Sequence, residues 1–256
     1  MKLRIDKLLV ERGLVPSRER AQALILAGKV LVDEQKVEKP GTSVRQESQI
    51  RFLGDDLRYV SRGGLKLEAA LQHWEIDVSG KVCLDVGAST GGFTDCLLQH
   101  GAKKVIAIDT GYGQIDFELR SDERVRLLEK TNARYLKPED VGEAIALIVM
   151  DVSFVSATLV LPAVVNAARA FGGSPSVVVL AKPQFEVGRE LVGKGGIVRD
   201  AEAQRAAVTK VKSAMSELGF EVGEAIESPI LGTEGNREFL VYGTATVLAD
   251  GLLRSP

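Results

Sequence analysis

The chain has 256 residues, 45% hydrophobic and 27% charged, enough to bury one substantial core and a small satellite module. No apolar run reaches the roughly 18 residues of a membrane-spanning helix, and the N-terminus MKLRIDKLLVERG mixes charge with apolar residues where a signal peptide needs an apolar stretch, so a cytoplasmic protein is expected. The net charge of −2 hides an asymmetry: residues 1–60 hold 12 Lys+Arg against 9 Asp+Glu, and residues 61–256 hold 21 against 26, a balance that fits a basic recognition arm on a neutral or acidic body.

Along residues 4–13, Ile5, Leu8 and Leu9 fall at helical spacing and Gly13 offers a stop. A turn through Leu14, Val15 and Pro16 leads to Ser17, a good N-cap. A second helix follows through Ala21, Ala23, Leu24, Ile25 and Ala27, and Gly28 ends it. Lys29 to Val32 is β-prone, Asp33-Glu34-Gln35 and Pro40-Gly41 read as turns, and Val44 and Ile50 to Leu53 read as further strand. The segment is a pair of helices carrying a small sheet.

Arg4-Ile-Asp-Lys-Leu-Leu, Ser17-Arg18 and Ala27-Gly28-Lys29-Val30-Leu31-Val32 resemble an S4 RNA-binding domain over about the first 60 residues. The resemblance implies that one face grips structured RNA, with Arg4, Lys7, Arg12, Arg18, Arg20 and Lys29, and Arg62 beyond them, near phosphates. Cations on one face recruit RNA through counterion release and shape.

Residues 54–62 (GDDLRYVSR) are polar and aperiodic, and the domain junction is placed there, giving an S4-like domain over 1–60 and a catalytic domain over 61–256. Beyond it, apolar β-rich runs at Val82–Val86, Lys104–Ile108, Ala146–Met150, Val177–Leu180 and Phe239–Thr244 alternate with helical stretches. This alternation predicts an α/β, doubly wound, mostly parallel sheet with helices on both faces, which binds ligands at the carboxyl ends of its strands. Cys83 and Cys96 lack CxxC spacing, so buried reduced thiols are expected and a metal site is not.

Val82-Cys-Leu-Asp-Val86 runs into Gly87-Ala-Ser-Thr-Gly91-Gly92-Phe93-Thr94 and then a helix over Asp95 to His100. Glycines permit close backbone approach, and helix N-terminal amides suit polar or anionic groups. A dinucleotide fingerprint would place glycine where Ser89 stands, which weakens a dehydrogenase reading. About twenty residues on, the strand Val105–Ile108 ends in Asp109, a carboxylate able to accept from both hydroxyls of an adenosine ribose. Asp85-x-Gly87-x-x-x-Gly91-Gly92 with that later acid resembles the S-adenosylmethionine site of the class I, Rossmann-like methyltransferases, which implies Asp85, Gly87, Ser89, Gly91, Gly92, Phe93, Asp109 and Asp151 at the cofactor. Asn132, after Leu128-Glu-Lys-Thr131, is a candidate for the adenine amine or a plain turn residue. Gly188-Arg-Glu-Leu-Val-Gly193-Lys194-Gly195 imitates a P-loop, but glycine replaces the Mg²⁺-binding hydroxyl and no strand leads directly into Gly188. Residues 187–198 are expected to be a mobile loop near the substrate.

Four ionisable residues stand where surface exposure explains them poorly. Lys66 follows Arg62-Gly63-Gly64-Leu65 near a helix start, Asp151 ends the strand Leu147–Met150, Lys182 ends Val177–Ala181 before Pro183, and Glu238 precedes a late strand. They resemble the Lys-Asp-Lys-Glu tetrad of FtsJ-like ribose 2′-O-methyltransferases. With Met150-Asp-Val-Ser-Phe154, Lys182-Pro-Gln-Phe-Glu186, Gly193-Lys-Gly-Gly-Ile-Val198 and Gly235-Asn-Arg-Glu-Phe239, nearly the whole chain resembles the TlyA/haemolysin A family of ribosomal RNA methyltransferases. Thr90 and Phe93 depart from the proline and tryptophan common in FtsJ-like loops.

The resemblance implies 2′-O-methylation of ribosomal RNA or ribosomal subunits with S-adenosylmethionine and without metal. A ribose hydroxyl is a very weak acid, so its attack needs a positioned base. Lys182 is the candidate, neutral part of the time through burial and the neighbouring Lys66 cation, with Asp151 orienting it and Glu238 anchoring Lys66 or the ribose. The alternative is a non-catalytic RNA-binding or ribosome-assembly protein that retains the fold. Membrane lysis has no support, since no helix shows an extended basic amphipathic face. The sequence leaves the methylated nucleotide and the oligomeric state open.

Overall fold

The computed structural model describes residues 2–12, 14–15, 17–52, 58–232 and 235–246. Gly13 and Pro16, expected as helix stop and turn, lie outside the described residues, as do Leu53 and residues 54–57 of the polar junction. The chain divides into two compact units, Met1–Arg58 and Tyr59–Pro256. Tyr59 is buried in the core of the second unit, against α3 (Gly63–His73).

The first unit contains β1 (Lys2–Arg4), α1 (Ile5–Glu11), α2 (Arg18–Leu26), β2 (Val30–Val32), β3 (Gln35–Val37), β4 (Ser43–Arg45) and β5 (Ile50–Phe52). Ser17 caps α2 by accepting from the Arg20 amide, and Gly28 follows the helix with a left-handed φ of 65°. Ile5, Leu8 and Leu9 from α1 and Ala21, Leu24 and Ile25 from α2 close the core over Val30 and Val37. Two details differ from expectation. Arg4 belongs to a strand paired with β4, and Gln35 opens β3 while Asp33 and Glu34 alone make the hairpin turn, both at positive φ. A three-residue strand is too short to show periodicity, so its pairing partner decides it. The two-residue turn with left-handed backbone matches strand twist, and the Asp33 carboxylate holds it by accepting from the Gln49 amide at 2.9 Å.

In the second unit, β6 (Val82–Val86), β7 (Lys104–Ile108), β8 (Val125–Leu128), β9 (Leu147–Met150) and β10 (Ser176–Ala181) are parallel, in the order β8-β7-β6-β9-β10. The antiparallel strand β13 (Phe239–Ala245) continues the sheet beside β10 and pairs with β11 (Phe220–Val222) and β12 (Ile226–Glu227). Alternate residues of each central strand bury against opposite layers. Leu84, Ile106 and Ile148 pack toward α7 (Leu161–Arg169), and Val211 and Met215 of α9 (Ala201–Glu217) join that layer. Cys83, Val105 and Val149 pack toward α3 and α4 (Gly92–Gln99). Burial on both faces is why these strands read as continuous apolar runs. Short helices α5 (Phe117–Ser121), α6 (Pro138–Val141) and α8 (Pro183–Glu186) complete the unit.

The order reverses at β6, whose neighbours are β7 and β9, so a crevice opens beyond its carboxyl end. The strands β6, β7, β9 and β10 deliver Gly87, Asp109, Asp151 and Lys182 to one edge. Because β13 runs the other way, with Phe239 opposite Ala181, Glu238 reaches that same edge from before its strand. The P-loop imitation forms a 3-10 turn at Arg189–Leu191 and a bridge between Gly193 and Ile197, following α8 and not a strand.

Candidate active site

All four ionisable residues line one cavity of about 290 Å³, with Ser61, Arg62, Gly87, Ser89, Gly92, Phe93 and Ser153. They form two ion pairs. Lys66 Nζ, on the second turn of α3, meets Glu238 Oε2 at 2.5 Å, and both side chains are buried. Lys182 Nζ lies 2.6 Å from Asp151 Oδ1, in a contact without hydrogen-bond alignment, and donates instead to Ser153 Oγ at 2.7 Å. The Lys66 ammonium expected beside Lys182 has Glu238 as its counter-charge, and Lys182 has Asp151.

The glycine turn is built by the protein's own packing. Gly87 has a φ of 89°, and a Cβ there would fall 2.5 Å from the Asp151 carbonyl oxygen. The turn therefore presses directly on the strand end that carries Asp151. Gly92 meets Ser61 and the start of α3 equally closely, while Gly91, at a φ of 97°, packs on Leu119 and lines neither cavity of the site. Asp85 is also behind the turn: fully buried, it accepts from Thr94 Oγ1 at 2.6 Å through Oδ2, and its Oδ1 has no hydrogen-bond partner among the described residues. Burial pushes its carboxyl up to about 7.

A second cavity, of about 380 Å³, adjoins the first through Gly87, Ser89, Asp151 and Ser153. Its polar end is Asp109, whose two oxygens accept from the Ser89 amide at 2.8 Å and the Gly111 amide at 2.7 Å. Each oxygen keeps a lone pair for a hydroxyl, so a vicinal diol fits. Ile108, Val152, Val155 and Val160 supply an apolar wall suited to a flat base. Asn132 also lines this cavity, but its Oδ1 caps the 3-10 turn at Ala133–Tyr135 by accepting from the Arg134 amide at 3.1 Å. That oxygen accepts one hydrogen bond in the turn and keeps a second lone pair, to which an adenine amine could donate. This set of groups fits a nucleoside carrying a polar, charged tail.

In the first unit the six cations do not present a uniform face. Asp6 is buried, and it accepts from Arg4 through both oxygens, from Arg18 at 2.9 Å and from Gln22 at 3.2 Å. Arg4 above all holds its carboxyl far below the usual range. Arg12 donates to the Ser48 carbonyl at 2.8 Å and to that of Gln46. Lys7 is exposed, and Arg20 and Lys29 are half-buried. Sequence reasoning passed over Asp6, since an acid in the first turn of a helix is ordinary. It also passed over Ser153, a short polar residue in a loop.

Both cysteines are buried thiols; burial raises the Cys83 thiol to about 12, which disfavours its reactive thiolate, and Cys96 Sγ lies 3.7 Å from His100 Nδ1. Among the described residues no helix is long and apolar enough to cross a membrane.

The profile of the FtsJ-like methyltransferases matches residues 59–245 and that of the S4 domain residues 3–50. The 16S/23S rRNA (cytidine-2′-O)-methyltransferase TlyA of Mycobacterium tuberculosis is 45% identical across 93% of this chain and 88% of its own. Hemolysin A of Brachyspira hyodysenteriae is 41% identical across 94% of this chain and 99% of its own. A solved structure from Streptococcus thermophilus, described as a hemolysin, shares 41% identity and a TM-score of 0.73, covering 96% of this chain and 89% of that one. With its paired lysines and acids at the carboxyl edge of the sheet, the chain belongs to the FtsJ-like methyltransferase family, in the branch whose members carry an S4 domain and the names TlyA and hemolysin A.

Proposed function

We propose that this protein is a cytoplasmic enzyme that methylates the ribose 2′-hydroxyl of ribosomal RNA, with S-adenosylmethionine as donor. Residues 1–60 recruit structured RNA and residues 61–256 transfer the methyl group. The observation that carries this reading is the meeting of Lys182, Asp151, Lys66 and Glu238 in one cavity against the Gly87 turn. The Mycobacterium tuberculosis relative is named for cytidine in 16S and 23S rRNA, and cytidine is the first nucleotide to test.

Asp109 would hold the donor's ribose hydroxyls and the apolar wall its adenine. The bound donor supplies a methyl group already activated as a sulfonium. Lys182 Nζ accepts the proton of the attacking hydroxyl, and Asp151 balances the charge this creates. Lys66, held by Glu238, stands across the cavity to receive the ribose. A positioned base of this kind contributes about 10²–10⁴-fold.

The test uses labelled donor and ribosomal subunits or their RNA. Label should enter RNA as 2′-O-methylcytidine, and Lys182→Ala should abolish transfer while leaving RNA and S-adenosylhomocysteine binding intact. No label in any RNA or assembly state would refute the reading, and would leave the RNA-binding alternative.

A further inference from the structure

Ser153 lines three cavities: the one with the two ion pairs, the one with Asp109, and an apolar one containing Phe154, Phe185 and Gln184. It also accepts a hydrogen bond from Lys182 Nζ at 2.7 Å. The Asp151 contact at 2.6 Å attracts Lys182 without hydrogen-bond alignment. Coulomb attraction fixes a distance and leaves the direction free, whereas a hydrogen bond fixes direction.

The difference matters because a base acts from its neutral form. When the amine is uncharged its attraction to Asp151 drops, but its N–H groups still donate. The bond to Ser153 therefore persists in the state in which the ion pair is weakest. The backbone at this turn is strained to the same end. Phe154 has a φ of 64° although its ring is 92% exposed and gains little from burial. Left-handed backbone at a bulky residue is held only where the surroundings demand it. Here the chain is tied on both sides, by the Asp151 amide on the Val86 carbonyl at 2.9 Å and by Glu186 accepting from the Ala157 amide at 2.7 Å and from Ser156 Oγ at 2.5 Å.

Building on the methyl-transfer reading above, we infer that Ser153 is a positioning residue, which aims the Lys182 amine at the ribose hydroxyl while the amine is neutral. The hydroxyl proton moves to Lys182 Nζ, the new C–O bond forms as the C–S bond breaks, and the bonding pair stays on sulfur. Ser153 gains and loses nothing in this step.

Three variants and two readouts test the idea. Ser153→Ala should lower kcat by about 10–100-fold, the cost of a slightly misplaced reacting group, with KM for RNA and affinity for S-adenosylhomocysteine within about 3-fold. Ser153→Thr, which keeps the hydroxyl, should recover most of the loss. In ¹⁵N-edited spectra of the ligand-free protein, the Lys182 ammonium signal, identified by its loss in Lys182→Met, should be protected from water exchange in the wild type and broadened in Ser153→Ala. An unchanged signal, a kcat within about 2-fold of wild type, or a loss confined to KM would overturn the role of Ser153 while leaving the methyl-transfer reading intact. Transfer that survives in Lys182→Met would overturn both.

Discussion

Replacing Asp85 with asparagine tests the electrostatics behind the glycine turn. The Asp85 carboxyl is fully buried, and burial raises it from an ordinary 3.8 to about 7 against the opposing hydrogen bond from Thr94, while the nearby Asp151 and Asp109 push it further up. A rise of about three units corresponds to about 4 kcal/mol between the protonation states. The folded chain keeps a proton that the unfolded chain releases between about pH 4 and about pH 7. This contribution to stability is therefore complete below the unfolded value and is lost as pH rises through the folded one, at up to about 1.4 kcal/mol per pH unit. Trp74 is the single tryptophan, and it stacks on Tyr242 in the second unit. Its fluorescence in urea titrations thus reports on the catalytic unit alone. From about pH 4 to about pH 8 the wild type should lose about 4 kcal/mol relative to Asp85→Asn, whose side chain does not titrate. Any fixed offset from the amide cancels in this comparison. Parallel stability curves for the two proteins would refute the argument.

Glu238→Gln leaves the Lys66 ammonium buried without its counter-charge, and should destabilise the catalytic unit by about 3–5 kcal/mol in the same Trp74 titration; adding Lys66→Met should restore much of that loss. Asp109→Asn keeps one acceptor and loses the charge, so calorimetry should show S-adenosylhomocysteine binding weakened by about 10-fold or more. In the first unit, Arg12→Ala frees the Gln46 and Ser48 carbonyls and should lower that unit's thermal stability by about 1–3 kcal/mol. Lys7→Ala should leave stability unchanged and reduce the salt dependence of RNA binding by up to about one counterion.

The central sheet was legible because residues such as Leu84, Ile106 and Ile148 alternate with Cys83, Val105 and Val149, and both sets are buried. The strand β8 was missed because it is only half-buried along its length, and β1, β11 and β12 because two or three residues carry no period. The four ionisable residues could be picked out by strand ends and by family motif, and the partners expected for them, Asp151 for Lys182 and Glu238 for Lys66, are the ones the structure pairs. Lys66 and Glu238 are 172 positions apart, and only the reversal of β13 explains why one member precedes its strand. Sequence shows charges but not partners: Asp6 and the carbonyls of residues 46 and 48 accept from Arg4, Arg18 and Arg12, and the Asn132 oxygen caps a turn.

The pairing of Lys66 with Glu238 also bears on the order in which the protein matures. A chain leaving the ribosome N-terminus first exposes the S4-like unit, then the glycine turn, then Asp151 and Lys182, all before Glu238 is translated. Until that glutamate arrives, the Lys66 ammonium has no counter-charge and the sheet lacks the strand that covers β10. The S4-like unit is therefore translated well before the site is complete, and the capacity for chemistry waits on Glu238.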